Sequence, residues 1–210
     1  MIEIIPGILE KNFDEIRRKI NQVVGLVDWV EIDVLDGTMY QNDTYNNWLA
    51  FAEFKNQVGL AAHLMVADPA KYVEQLVVNG FKRLIADVEG DTTREFIAAC
   101  RMHHVEVGVA LNGPSSLQLV EPFLESVDTV LVMTISSGFS GTPFLPQVLP
   151  KIRKIHEEYP NLPIEVDGGI GKETAPLVIE NGATRLVSTS YLFWKNKDRI
   201  AEAIEELKGR

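Results

Sequence analysis

The sequence is poor in several features that mark common protein classes. It holds one cysteine, Cys100, so no internal disulfide can form and a reducing compartment, the cytoplasm, is expected. Positive charge is short: 20 lysines and arginines stand against 30 aspartates and glutamates, a net charge of −10. No nucleic-acid partner is expected, because phosphate backbones draw basic faces. An anionic substrate stays open if backbone amides or a metal hold it locally. No apolar run approaches the roughly 18 residues of a membrane span. The start, Met1-Ile2-Glu3-Ile4-Ile5-Pro6, has no basic stretch and no cleavage site, so no membrane partner is expected either. Linkers and low-complexity tracts are missing too, and at 210 residues a single domain over 1–210 is expected.

What is there is a near-unbroken alternation of strand-like and helix-like segments. Strands are predicted at 2–9, 29–35, 59–66, 83–88, 105–111, 129–133, 163–167 and 185–188. Helices are predicted near 12–24, 49–57, 68–79, 92–103, 116–123, 144–159, 172–181 and 197–208. Asn12 is an expected N-cap, and Asp68-Pro69 reads as a cap followed by proline at the first helical position. The repeat averages about 26 residues per unit, which suits an α/β fold, the closed parallel (β/α)₈ TIM barrel. The runner-up is an open doubly wound sheet. That fold usually carries GxGxxG after its first strand, where this chain has Pro6-Gly7-Ile8-Leu9.

In such barrels chemistry sits at the carboxyl ends of the strands. Those ends here carry Glu31, Asp33, His63, Asp87, Glu89, Asn112, Thr134, Ser136, Glu165, Asp167, Ser188 and Ser190, while the amino ends carry little beyond Glu3 and Arg83. Glu31 and Asp33 alternate with Val30, Ile32 and Val34, so both acids share one face of a strand and need a partner. Glu31, Asp33, His63 and Asp167 form a candidate divalent-metal set. The plainer reading of His63 alone is a hydrogen-bonded core histidine. Asp33 and Asp167 come from strands three steps apart around a ring of eight. They can therefore address opposite faces of one carbon, removing a proton from one side and returning it on the other. Gly138-Phe139-Ser140-Gly141, Gly168-Gly169 and Thr189-Ser190 follow the last three strands, where exposed amides bind phosphate.

These motifs resemble the ribulose-phosphate 3-epimerase family of phosphate-binding barrels. The resemblance runs from Pro6 to about Phe193. It rests on Asp33-Val34-Leu35-Asp36-Gly37, Asn42, His63-Leu64-Met65-Val66, Val109-Ala110-Leu111-Asn112, Val130-Leu131-Val132-Met133-Thr134, Gly138-Phe139-Ser140-Gly141 and Val166-Asp167-Gly168-Gly169-Ile170. It implies interconversion of D-ribulose 5-phosphate and D-xylulose 5-phosphate at carbon 3. Asp33 and Asp167 would be the acid/base pair. The metal, zinc, iron, manganese or cobalt, would sit on Glu31, Asp33, His63 and Asp167. The sugar phosphate would contact His63, Gly138, Phe139, Ser140, Gly141, Gly168, Gly169, Thr189 and Ser190, in a homo-oligomer. The chain departs from the family pattern at Glu31 and Asp87, where histidines are usual, at Gly7 in place of serine, and at Ser140 and Ser188-Thr189-Ser190. The sequence leaves open a shifted ketose phosphate or a barrel that binds a phosphosugar without turnover. Schiff-base aldolases and D-x-K-x-x-D decarboxylases are disfavoured, because no predicted strand ends in lysine.

Overall fold

The structure, a computed structural model, describes residues 2–90, 92–137 and 142–209. Its strands are β1 (Glu3–Ile8), β2 (Trp29–Val34), β3 (Gly59–Leu64), β4 (Phe81–Asp87), β5 (Glu106–Leu111), β6 (Thr129–Met133), β7 (Ile164–Asp167) and β8 (Arg185–Ser188). All pair in parallel with their sequence neighbours, and β8 closes on β1. The regular helices are α1 (Phe13–Val23), α2 (Val73–Val78), α3 (Thr93–Met102), α4 (Leu149–Glu158), α5 (Ala175–Glu180) and α6 (Ile200–Leu207). The (β/α)₈ barrel is thus the observed fold.

The two faces of each strand have different jobs. Val30, Ile32, Val34, Leu60, Ala62, Leu64, Leu84 and Ala86 join the large cluster between the barrel wall and the helices. The alternate residues point inward. On β4, β5 and β6 the inward Ile85, Ala110, Leu131 and Met133 form a separate buried cluster with Ile135, and Arg83 and Asp87 of β4 share their face with Ile85. On β2, β3 and β7 they include Glu31, Asp33, His63, Glu165 and Asp167. The lumen therefore holds an apolar cluster beside a set of ionisable side chains.

Several helices depart from the expected form. The 49–57 segment is a 3₁₀ helix, Trp48–Phe54. Trp48, Phe51 and Phe54 are buried at a spacing of three, which matches three residues per turn rather than 3.6. The 116–123 segment is two 3₁₀ turns, Leu117–Leu119 and Glu121–Ser126, broken around Pro122, which has no amide to donate. Asn12 caps α1 as expected, accepting from the Asp14 amide at 2.8 Å. Asp68 makes no cap hydrogen bond, and a 3₁₀ turn, Pro69–Tyr72, precedes α2. The helical turn Tyr191–Lys195 had no sequence signal.

The amino end of the lumen corrects the expectation that little lies there. Arg83 is 1% exposed and stacks 4.1 Å from the Trp29 ring. Its Nε donates to Glu106 at 2.9 Å, and its terminal nitrogens lie 3.7 Å from Glu3 and 3.6 Å from Glu165. Arg185 ties Glu3 and Glu106 together from the other side. Glu165, expected at the carboxyl end, lies two residues below Asp167 on the same face. That is about 6.6 Å deeper, within reach of the arginine. Parity along the strand was legible, and depth was not.

Removing one partner of a buried ion pair strands the other charge. Arg83→Ala is expected to cost about 3–5 kcal/mol in urea unfolding, and Glu165→Gln in the same background to recover part of it. A loss under about 1 kcal/mol contradicts the plug.

Candidate active site

The side chains of Glu31, Asp33, His63 and Asp167 converge inside the barrel. β2 and β3 pair so that Asp33 stands beside His63, and β7 supplies Asp167 in register with Met133. One ligand atom from each of the four lies within 4.8 Å of the other three. Glu31 and His63 are fully buried, Asp33 is 7% exposed, and Asp167 is partly exposed. Both Glu31 oxygens, Asp33 Oδ1 and His63 Nδ1 are buried with no hydrogen-bond partner. Asp33 Oδ1 is 3.6 Å from His63 Nδ1, too far for a hydrogen bond.

Such orphaned groups are costly unless a cation or a proton meets them. Burial, reinforced by the Glu165 carboxylate, raises the Glu31 pKa well above the ordinary range. Burial, with Asp33 nearby, pushes Asp167 up to about 8. Burial opposes charge on His63, but the carboxylates of Asp33 and Asp87 outweigh it and raise its pKa well above the imidazole norm. Three carboxylates and one imidazole nitrogen within 4.8 Å of one another, with Glu31, Asp33 Oδ1 and His63 Nδ1 lacking hydrogen-bond partners, fit a divalent metal ion.

The neighbouring polar residues have other work. Asp87 Oδ1 pairs with His63 Nε2 at 2.9 Å, and Tyr40 donates to Asp87 Oδ2 at 2.9 Å. Asp36 accepts from Thr38, Lys71 and Tyr72, and so pins the segment after β2. Glu89 accepts from the Asn112 amide, and Asn112 accepts from Ser137. Thr134 donates to the carbonyls of Asp167 and Gly168, and Ser188 to that of Ile170. Tyr40 had no sequence signal beyond an aromatic in a polar loop.

The phosphate half is described in part. Gly168 and Gly169 follow β7 with φ of 113° and 66°, the left-handed region that favours glycine. A side chain at Gly168 would collide with Ile135. Thr189 and Ser190 follow β8, both partly exposed. Gly138, Phe139, Ser140 and Gly141 lie outside the described residues. Gly7 faces Thr189: a Cβ on Gly7 would stand 2.6 Å from the Thr189 hydroxyl oxygen and 2.8 Å from Val187 Cγ1. Glycine at position 7 thus makes room for the threonine across β1 and β8.

The model of the ribulose-phosphate 3-epimerase family matches residues 3–193. The chain belongs to that family. It is 34% identical to the ribulose-phosphate 3-epimerase of Bacillus subtilis, covering 100% of this chain and 99% of the relative. It is 33% identical to the cytoplasmic isoform of Oryza sativa, over 91% and 87% of the two chains. Among solved structures it resembles 3-keto-L-gulonate-6-phosphate decarboxylase from Vibrio cholerae (TM-score 0.74, 14% identity, 100% and 97% coverage). It also resembles 3-hexulose-6-phosphate synthase from Salmonella typhimurium (TM-score 0.74, 17% identity, 99% and 97% coverage). At those identities the two structures speak for the fold.

A divalent ion would have to displace the proton that a pKa of about 8 holds on Asp167, and to compete with the protonation of His63 that the Asp33 and Asp87 carboxylates favour. Metal affinity is therefore expected to climb as pH rises toward about 8, with proton release on binding below that pH. Chelator competition and calorimetry in two buffers check this, and an affinity flat below that pH contradicts it.

Proposed function

We propose that the barrel interconverts D-ribulose 5-phosphate and D-xylulose 5-phosphate by moving the proton on carbon 3. The observation that carries this reading is the convergence of Asp33 and Asp167, from strands on different sides of the ring, within 4.8 Å of each other. One carboxylate takes the proton from one face of carbon 3 and the other, as the acid, delivers a proton to the opposite face. The roles exchange in the reverse direction. A divalent ion held by Glu31, Asp33, His63 and Asp167 would supply Lewis-acid stabilisation of the negative charge gained by the sugar oxygens. Zinc, iron, manganese and cobalt suit this donor set, and the anionic Glu31 favours the harder of them. Met65 and Met133, 3% and 2% exposed, give the pocket an apolar wall that limits water.

The phosphate is read as resting on the amides of Gly168, Gly169, Thr189 and Ser190, together with the 138–141 segment. Among the described residues no helix is long and apolar enough to cross a membrane. A single buried cysteine and the rice cytoplasmic relative support a cytoplasmic setting. The barrel is read as working in a homo-oligomer.

Incubation with D-ribulose 5-phosphate in heavy water, with each metal in turn, is expected to place deuterium on carbon 3. Asp33→Asn and Asp167→Asn should each slow labelling by about 10²–10⁴-fold. No label with any ion would sink the reading and leave a phosphosugar-binding barrel without turnover.

A further inference from the structure

We propose that Asp87 is a positioning residue that aims His63 at the metal set, and that Tyr40 couples this aim to the segment following β2. Asp87 offers no ligand atom to the group of Glu31, Asp33, His63 and Asp167. Both of its oxygens are already engaged. Oδ1 lies 2.9 Å from His63 Nε2, between two side chains that are both fully buried. Oδ2 accepts from the Tyr40 hydroxyl at 2.9 Å.

An ionised carboxylate only accepts hydrogen bonds. Asp87 therefore requires a proton on Nε2, which leaves Nδ1 as the nitrogen that can hold an ion. Nδ1 is the nitrogen facing Asp33, and it has no hydrogen-bond partner. A carboxylate behind a ligating imidazole fixes its tautomer and ring angle and raises its basicity, and losing it typically costs about 10–100-fold in metal affinity.

Tyr40 extends this chain of contacts into a loop. The segment is fastened on both sides of the tyrosine. Asp36 is held by Tyr72 and Lys71, and the Thr44 hydroxyl accepts from the Leu35 amide. Asp36 and Asp43 form an isolated bridge that closes the loop between them. Tyr40 thus reaches Asp87, 47 residues away in sequence, from a tethered turn. A shift of that turn moves the carboxylate, and through it the imidazole.

The inference rests on the metal reading of the site and not on the sugar, so its test contains no sugar. Manganese, cobalt and zinc affinities are measured by chelator competition for the wild type, Asp87→Asn, Asp87→Ala and Tyr40→Phe. Asp87→Ala is expected to weaken binding about 10–100-fold, with smaller losses for Asp87→Asn and Tyr40→Phe, which keep the shape of the site. Nitrogen-15 NMR of the imidazole in the metal-loaded protein should show Nε2 protonated in the wild type and a changed signature in Asp87→Asn. A merely structural role would not move that signal. Affinities within twofold across Asp87→Asn and Tyr40→Phe, or a wild type that binds none of the three ions, overturn the proposal. A protein that binds its ion through Asp87 yet puts no deuterium on carbon 3 upholds this inference and sinks the epimerase reading.

Discussion

Like charges buried together must find a counter-charge, and that constraint organises this barrel. Glu31, Asp33, Asp87, Glu165 and Asp167 all face the lumen from β2, β4 and β7, and all but the partly exposed Asp167 are buried from water. Arg83 answers the deepest of them, Glu165, from below. Neither oxygen of Glu31, nor Asp33 Oδ1, has a hydrogen-bond partner among the described residues. The protein therefore carries an electrostatic deficit at the carboxyl end of its strands and a repaired one at the amino end. A divalent ion on Glu31, Asp33, His63 and Asp167, as proposed, would close the upper deficit.

The rest of the architecture serves that arrangement. The apolar cluster of the lumen, Ile85, Ala110, Leu131 and Met133, is packed and unreactive, and it borders the acids. Low dielectric there strengthens each electrostatic contact and makes each unpaired group more costly. Glycines give way where another group needs the space, as Gly7 does for Thr189 and Gly168 does for Ile135. Two departures from the family pattern, Gly7 and Asp87, are thus accommodated locally. Thr189 fills what Gly7 vacates, and Asp87 is fully used by His63 and Tyr40.

Much of this was legible in the sequence because period and parity are local properties. Alternation in 29–35 placed Glu31 and Asp33 on one face, and the βα rhythm put His63 and Asp167 near them. Three things were not legible. Helix type escaped where burial ran at a spacing of three, as in Trp48, Phe51 and Phe54. Depth along a strand escaped, so Glu165 was grouped with the mouth although it belongs to the arginine plug. Contacts between distant loops escaped altogether, and Asp87 looked like a substitution until Tyr40 and His63 were seen on its two oxygens.

The most direct test of the central claim is anomalous diffraction from crystals grown with saturating manganese or zinc. The account predicts one strong peak bonded to Glu31, Asp33, His63 Nδ1 and Asp167, inside the carboxyl mouth of the barrel. Full-occupancy density elsewhere, or no peak among those four side chains, would contradict it.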